Sequence, residues 1–513
     1  MLEQEWKRFE SGTDIRGVAS EGVAGEEISL TDEAVERMTA GFALFLAQKR
    51  GKDVPALTVA VGHDSRISAE RIRSAVVRAL ISSGIRVLDC GLASTPAMFL
   101  TTVDLDCDGS VQITASHHPF NRNGLKFFTP EGGLDAADIE RILLSAQEGE
   151  KPAPASGSVR TVNYMAAYAG RLRRMIQDSV NAKDYDSPLR GFHIVVDAGN
   201  GVGGFYARDV LEPLGADVSG SQFLEPDGRF PNHIPNPENE EAMRSVCSAV
   251  VRSGADLGVI FDTDVDRAGA VDDKGDEINR NRLVAIASAI ALEDNPGGTI
   301  VTDSITSTGL KKYIEETLGG KHRRFRRGYR NVINEAVRLN REGVNCPLAI
   351  ETSGHAAMRE NYFLDDGAYL VTKILILAAR LRTKGKTLED LLAPLEEPAE
   401  ATELRFPIHT EDFRAYGETV LSGVLKYASA QPGWNIAPDN FEGVRVSFEK
   451  QTGGCDGWFL LRLSVHDPIL PLNMESDEKD GVRQIARKLL PCLEPFDRLD
   501  LSPLRDFLGQ TEK

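Results

Sequence analysis

The amino-acid sequence predicts an α/β protein, with three similar α/β domains and a smaller α+β domain at the C-terminus. Three observations lead there. A pattern of strand, polar loop, helix, glycine and strand occurs three times, which is the signature of βαβ units. A Pro/Ser/Gly-rich run at 150–158 interrupts the pattern after its first occurrence. From about residue 403 the texture changes to short apolar strands. A chain of 513 residues exceeds what one core holds, and the divisions fall at 1–158, 159–280, 281–402 and 403–513.

Taken in order, Val35, Met38, Phe42 and Phe45 recur at helical spacing behind a capping Thr31 and predict a core-facing stripe. The first repeat is a strand at 57–61, a helix near 69–82 and, after the Gly84 turn, a strand at 85–88. The second is a strand at 192–196, a helix around 204–214 and a strand restarting after Gly215. The third is a strand at 298–301, a helix around 308–318 and a strand restarting after Gly319-Gly320. Strands at 444–448 and 458–461 mark the C-terminal domain.

A net charge of −18 excludes a general affinity for nucleic acid or anionic membranes, so any phosphate handled here needs locally concentrated cations. Cys90, Cys107, Cys247, Cys346, Cys455 and Cys492 are scattered without metal or disulfide spacing, which points to a reducing compartment. No apolar signal segment opens the chain, and the longest apolar run, 283–292, is too short to cross a bilayer. The expectation is a soluble protein of the cytoplasm, or of the plastid stroma after loss of a transit peptide.

Four constellations carry chemistry. Thr114-Ala115-Ser116-His117-His118-Pro119 ends a strand at 110–113, where the proline stops the ladder and the turn presents the Ser116 hydroxyl for modification or attack. His117 is its immediate neighbour, and Lys126, behind Gly124, supplies a cation. Asp262, Asp264 and Asp266 alternate after the apolar run 257–261, so their carboxylates share a face and suit Mg²⁺. An EF-hand loop is excluded because Arg267 and Asp273 stand where it needs Gly and Glu. Arg323, Arg324, Arg326, Arg327 and Arg330 form a basic cluster suited to phosphate. Glu351, Ser353 and His355 follow a strand at 347–350 and suit vicinal sugar hydroxyls, while Arg462, Ser464 and His466 end a C-terminal strand with phosphate-binding groups. A rival reading rests on Gly199-Asn200-Gly201-Val202-Gly203-Gly204 with Asp217, the fingerprint of a NAD-dependent dehydrogenase. Asp197 ahead of the glycines opposes a pyrophosphate, and no hydride-transfer site follows.

In this order the segments resemble the α-D-phosphohexomutase superfamily. Gly12-Thr13-Asp14-Ile15-Arg16-Gly17 is similar to its G-T-x-x-I-R-G, and Gly62-His63-Asp64-Ser65-Arg66 to its G-x-D-[ST]-R turn. Residues 114–119 are similar to T-A-S-H-N-P, 262–267 to D-G-D-x-D-R and 351–355 to E-x-S-G-H. The resemblance implies four domains around a central cleft, the last of them phosphate-binding. It implies a phosphoryl group on Ser116 and Mg²⁺ on Asp262, Asp264, Asp266 and Ser116. Arg267 then lies near the transferring phosphate, with Arg16 and Lys126 as cations and proton-transfer partners beside phosphoserine. Glu351, Ser353 and His355 contact the sugar, and Arg326, Arg462, Ser464 and His466 the other phosphate. The implied reaction interconverts hexose 1-phosphate and hexose 6-phosphate, of glucose or mannose. It runs through a hexose 1,6-bisphosphate that is also the activator, in a monomer or homodimer. Two segments depart from the pattern. Val465 and His466 replace Gly and Thr of R-x-S-G-T-E-P, and Arg326-Arg327-Gly328-Tyr329 replaces K-T-G-H. The departures keep open a hexose-1,6-bisphosphate synthase, a phosphoglucosamine mutase or a non-catalytic sugar-phosphate sensor.

Overall fold

The computed structural model describes residues 1–438, 440–448, 456–464 and 467–509. They form two compact units, Met1–Leu283 with Ser353–Asp390, and Val284–Thr352 with Leu391–Lys513.

The first unit holds an eight-stranded mixed sheet. At its centre, strand Thr58–His63 runs parallel to Arg86–Leu92 on one side and to Gly109–Ile113 on the other. Gly109–Ile113 continues antiparallel into Arg122–Thr129 and then Asp14–Val18. The phosphoserine-like turn is therefore the hairpin connection between two central strands, both of them buried. Strand Ser158–Thr161, from the far end of the Pro/Ser/Gly run, adds in parallel to Arg86–Leu92. Helices Asp32–Arg50 and Ala69–Ser82 cover the sheet, and the Thr31 side chain accepts the Ala34 N–H as the cap. Val35, Met38, Phe42 and Phe45 are all buried, and Phe42 stacks on Phe127 with ring centroids 4.4 Å apart.

A second sheet in this unit pairs Leu257–Phe261 in parallel with Ile194–Asp197 and antiparallel with Ala268–Val271. Residues 262–267 are thus a hairpin loop closing a fully buried strand. The hairpin Ala356–Met358 and Leu364–Asp365 leads into helix Gly367–Arg382, which Asp366 caps through the Tyr369 N–H.

In the second unit, Thr299–Thr302 lies between Lys321–Arg324 and Leu348–Ile350, all parallel. A five-stranded sheet of antiparallel pairs, from Glu400–Pro407 to Trp434–Ile436, packs against helices Phe413–Ser429 and Gly481–Leu493 around its own core.

The second repeat departs from its pattern. Its helix is a wide-turned segment, Tyr206–Leu211, closed by a 3₁₀ turn, Glu212–Leu214. Pro213 has no N–H to offer an α-helical ladder. After Gly215 only the isolated bridges His193↔Asp217 and Asp197↔Gln222 replace the expected strand. The third repeat widens similarly, with Thr308–Lys312 running into Tyr313–Thr317. Among the described residues no helix is long and apolar enough to cross a membrane, and the five cysteines there are free thiols. Phe42→Ala is expected to cost about 3–5 kcal/mol, because it empties a closed aromatic stack. Urea unfolding followed by circular dichroism checks it, and an unchanged midpoint contradicts it.

Candidate active site

Ser116 sits in the left-handed region at φ +50°, a conformation costly for a residue with a Cβ. Its surroundings hold it there. The Ser116 N–H donates to Thr114 Oγ1 at 2.9 Å, and that hydroxyl donates to the buried Asp64 carboxylate at 2.7 Å. Arg66, fully buried, donates from Nη1 to the carbonyls of Pro119 (2.7 Å) and Arg122 (2.9 Å), and from Nη2 to those of His118 (2.6 Å) and Ser116. One guanidinium thus ties down the whole turn, and Asp64, 3.3 Å from its Nε, balances the charge.

The Ser116 hydroxyl donates to Asp262 Oδ2 at 3.2 Å and accepts from Arg267 Nη2 at 3.3 Å. His117 Nδ1 lies 3.3 Å from the same oxygen and 2.7 Å from Arg267 Nη2. Burial, then the Arg267 charge, push the His117 pKa down to about 2. The ring is therefore neutral, and because Arg267 only donates, Nδ1 is the acceptor and Nε2 carries the hydrogen.

Asp262, Asp264 and Asp266 each present a carboxylate oxygen within 4.8 Å of the others, and all are buried. Burial and the neighbouring carboxylates raise Asp262 well above the usual range, and burial with Asp266 raises Asp264 to about 6. Burial also opposes ionisation of Asp266, but Lys126, 2.8 Å from its Oδ2, holds its pKa below the usual range. Asp264 is fixed by Thr95, whose N–H meets the Asp264 carbonyl at 2.9 Å and whose hydroxyl donates to the carboxylate. Between them Val265 adopts φ +65°, a strained backbone for a β-branched residue. Asp264 Oδ1 and Asp266 Oδ1 are buried with no hydrogen-bond partner among the described residues. Orphaned hard oxygens on a crowded acidic face fit a small divalent cation such as Mg²⁺.

The glycine run has a different use from the one its fingerprint suggests. A Cβ on Gly201 would meet the Thr263 carbonyl oxygen at 2.5 Å, and the Val202 N–H donates to that same oxygen at 2.9 Å. The run packs against the acidic loop and leaves a pyrophosphate no backbone to approach. Asp197 accepts from the Gly199 N–H (2.9 Å) and Gln222 (2.7 Å), and its carboxylate oxygens lie 3.0 Å from His233 Nε2. Its carboxylate is spent on shaping the turn.

His355 bridges to Arg267 through the backbone and pairs with the Asp365 carboxylate. Burial works against its charge, but Asp365 and then Asp266 raise its pKa to about 9, so it is a cation at neutral pH. Ser353 is buried nearby in sequence. Arg16 lies opposite Gly124 in the strand pair, 3.0 Å from Asp14, and its charge helps depress His117 and His118.

In the second unit, Glu351 Oε1 accepts the Gly328 N–H at 2.6 Å, and Thr352 donates to Asp303 at 2.8 Å. Arg326 Nε donates to the Phe441 carbonyl at 2.9 Å. Arg462 Nη1 is 3.8 Å from Glu442, and Ser464 Oγ accepts the Asp467 N–H at 3.2 Å. His466 lies outside the described residues. Sequence reasoning gave no role to Arg66, Asp64, Thr95, Asp365 or Glu442. The charged turn 62–66 at a strand end was the available signal for the first two.

Comparison with known proteins agrees with this geometry. The chain matches the phosphoglucomutase/phosphomannomutase alpha/beta/alpha domain I over residues 10–152, domain II over 172–275 and domain III over 279–398. A phosphomannomutase/phosphoglucomutase of Pseudomonas syringae pv. tomato is 30% identical over 452 residues, 85% of this chain and 89% of that protein. A phosphoglucomutase of Neisseria gonorrhoeae is 29% identical over 484 residues, 94% of this chain and 95% of that protein. A phosphoglucomutase/phosphomannomutase family protein from Burkholderia thailandensis shares the fold, with a TM-score of 0.77 at 24% identity over 97% of this chain and 98% of that one. The chain belongs to the phosphoglucomutase/phosphomannomutase family of the α-D-phosphohexomutase superfamily.

Proposed function

We propose that the protein interconverts hexose 1-phosphate and hexose 6-phosphate through a phosphoserine at Ser116 and a hexose 1,6-bisphosphate intermediate. As a member of its family it is a phosphohexomutase, an isomerase. The observation that carries the mechanism is the Ser116 hydroxyl held between Asp262 and Arg267, beside a buried acidic triad with two unpartnered oxygens.

Asp262, Asp264 and Asp266 would hold Mg²⁺, which when bound neutralises the carboxylates and acts as a Lewis acid toward phosphoryl oxygens. The chain's own residues do the rest. Phosphoryl transfer asks for positioning and for stabilisation of charge on the moving group. Arg267 provides the nearest fixed cation, and neutral His117 holds its Nη2 in place. Arg16 and Lys126 take the roles of further cations and proton-transfer partners. Glu351, Ser353 and His355 contact the sugar, and Arg326, Arg462 and Ser464 the phosphate not being transferred. The bisphosphate then turns over and returns its other phosphate to Ser116, so the same compound added from outside primes the enzyme as activator. We assign the phosphoserine, metal, sugar and distal-phosphate loops to segments 1–158, 159–280, 281–402 and 403–513. Relatives named for both activities support glucose and mannose as the hexoses.

Intact mass of the purified protein tests the covalent step. Wild type should carry one phosphate that Ser116→Ala lacks, and the variant should lose at least about a hundredfold in turnover. An active, unphosphorylated Ser116→Ala contradicts the mechanism. Gly201→Ala tests the brace beneath the acidic loop, because its Cβ must displace the Thr263 carbonyl. Turnover should fall by about 10²-fold, with more Mg²⁺ needed for half-maximal activity and KM for the sugar phosphate little changed. A normal Mg²⁺ titration in this variant would separate the glycine run from the site.

A further inference from the structure

We infer that Arg327 determines specificity for phosphorylated sugars, joining Arg462 in a two-guanidinium grip on the phosphate that is not transferred. The inference rests on the reading of Arg462 as a distal-phosphate residue and adds a partner that the resemblance does not supply, since the K-T-G-H pattern places Thr where this chain has Arg327.

The local fold brings the side chain there. Strand Lys321–Arg324 ends, and the chain turns into helix Tyr329–Arg341 at Gly328, whose φ of +110° only glycine adopts readily. Around this turn the basic cluster divides. Arg323 pairs with Glu335 at 2.5 Å, Arg324 donates to the Ser307 carbonyl at 2.7 Å, and Arg326 donates to the Phe441 carbonyl. Arg327 turns to the other group: its N–H donates to Glu442 Oε2 at 2.9 Å, and its Nε lies 3.8 Å from Asp303 Oδ2.

Glu442 is the shared element. Its Oε2 also accepts the Ser304 hydroxyl at 2.6 Å, and its Oε1 lies 3.8 Å from Arg462 Nη1. Burial lowers the Arg462 pKa, Glu442 opposes that, and the Arg327 charge lowers it further, so the two guanidiniums feel each other. Arg462 Nε is buried without a partner among the described residues. Two repelling, partly desolvated guanidiniums favour an anion of high charge with several acceptors. A phosphate dianion meets that demand, and a neutral hydroxyl does not. The gain of this arginine coincides with the loss of the Gly and Thr of the distal loop at Val465 and His466, which lie outside the described residues.

The test uses the full-length protein with Arg327→Thr and Arg327→Lys, assayed with glucose 1-phosphate and mannose 1-phosphate. Equilibrium binding of glucose 6-phosphate is measured alongside by calorimetry. Arg327→Thr should raise KM and Kd about tenfold or more, the scale of one charge-assisted hydrogen bond. Arg327→Lys should fall between, keeping charge but not the planar fork. Hydrolysis of the Ser116 phosphate by water should not change, because water brings no second phosphate, whereas a merely structural role would slow it too. Unchanged KM and Kd in Arg327→Thr, or equal losses in sugar-phosphate turnover and water hydrolysis, would overturn the inference. An unphosphorylated, inactive wild type would defeat the proposed function instead, and the calorimetric comparison would still decide the role of Arg327.

Discussion

Three carboxylates buried within five residues of one loop, Asp262, Asp264 and Asp266, repel each other where water cannot screen them. Burying even one ion costs several kcal/mol unless partners offset it. Much of the first unit is arranged around this constraint. Lys126 reaches Asp266 from the sheet strand Arg122–Thr129, Arg267 folds back on Asp262, and Thr95 fixes Asp264 by backbone and hydroxyl. Below, the glycine run grips Thr263, so the loop cannot relax by moving away. The charge that remains unbalanced raises Asp262 and Asp264 and leaves two oxygens unpartnered.

The same network reaches Ser116. Asp262 and Arg267, which answer each other electrostatically, are also the groups on the serine hydroxyl. The turn that presents the hydroxyl is held from behind by Arg66, which stands 50 residues earlier in the chain. Strain at Ser116 and Val265 is thus stored on both sides of the reacting position, with buried charges on each side to hold it. The recognition groups Glu351, Arg327 and Arg462 belong to the second unit and are organised by a separate set of carboxylates, Asp303 and Glu442.

Much of this was legible in the sequence. The Thr31 cap, the stripe behind it and the period-two acidic loop are local patterns, and local patterns survive folding when burial agrees with them. The family resemblance rested on such local motifs. What failed was local propensity against tertiary demand: 204–214 scans as a helix, yet Pro213 and close packing beneath Thr263 give a wide turn and isolated bridges. The glycine run illustrates another limit. Its spacing is that of a phosphate-binding turn, but the partner filling it is a carbonyl from 60 residues away, which no window of sequence reveals. Arg66 was quoted only as part of a motif, since donation to four carbonyls is a long-range fact. The choice between Arg326 and Arg327 depends on the rotation at Gly328, again invisible before the backbone is known.

The central claim is that unrelieved repulsion among the three aspartates makes a high-affinity cation site. Calorimetric titration of Mg²⁺ into the wild-type protein, in two buffers of different ionisation enthalpy near neutral pH, measures it most directly. The account predicts one ion per chain with release of protons, because crowding has raised the Asp262 and Asp264 pKa values above the usual range, and it predicts marked weakening in Asp264→Asn. Binding without proton release that Asp264→Asn leaves unchanged would place the metal elsewhere and contradict it.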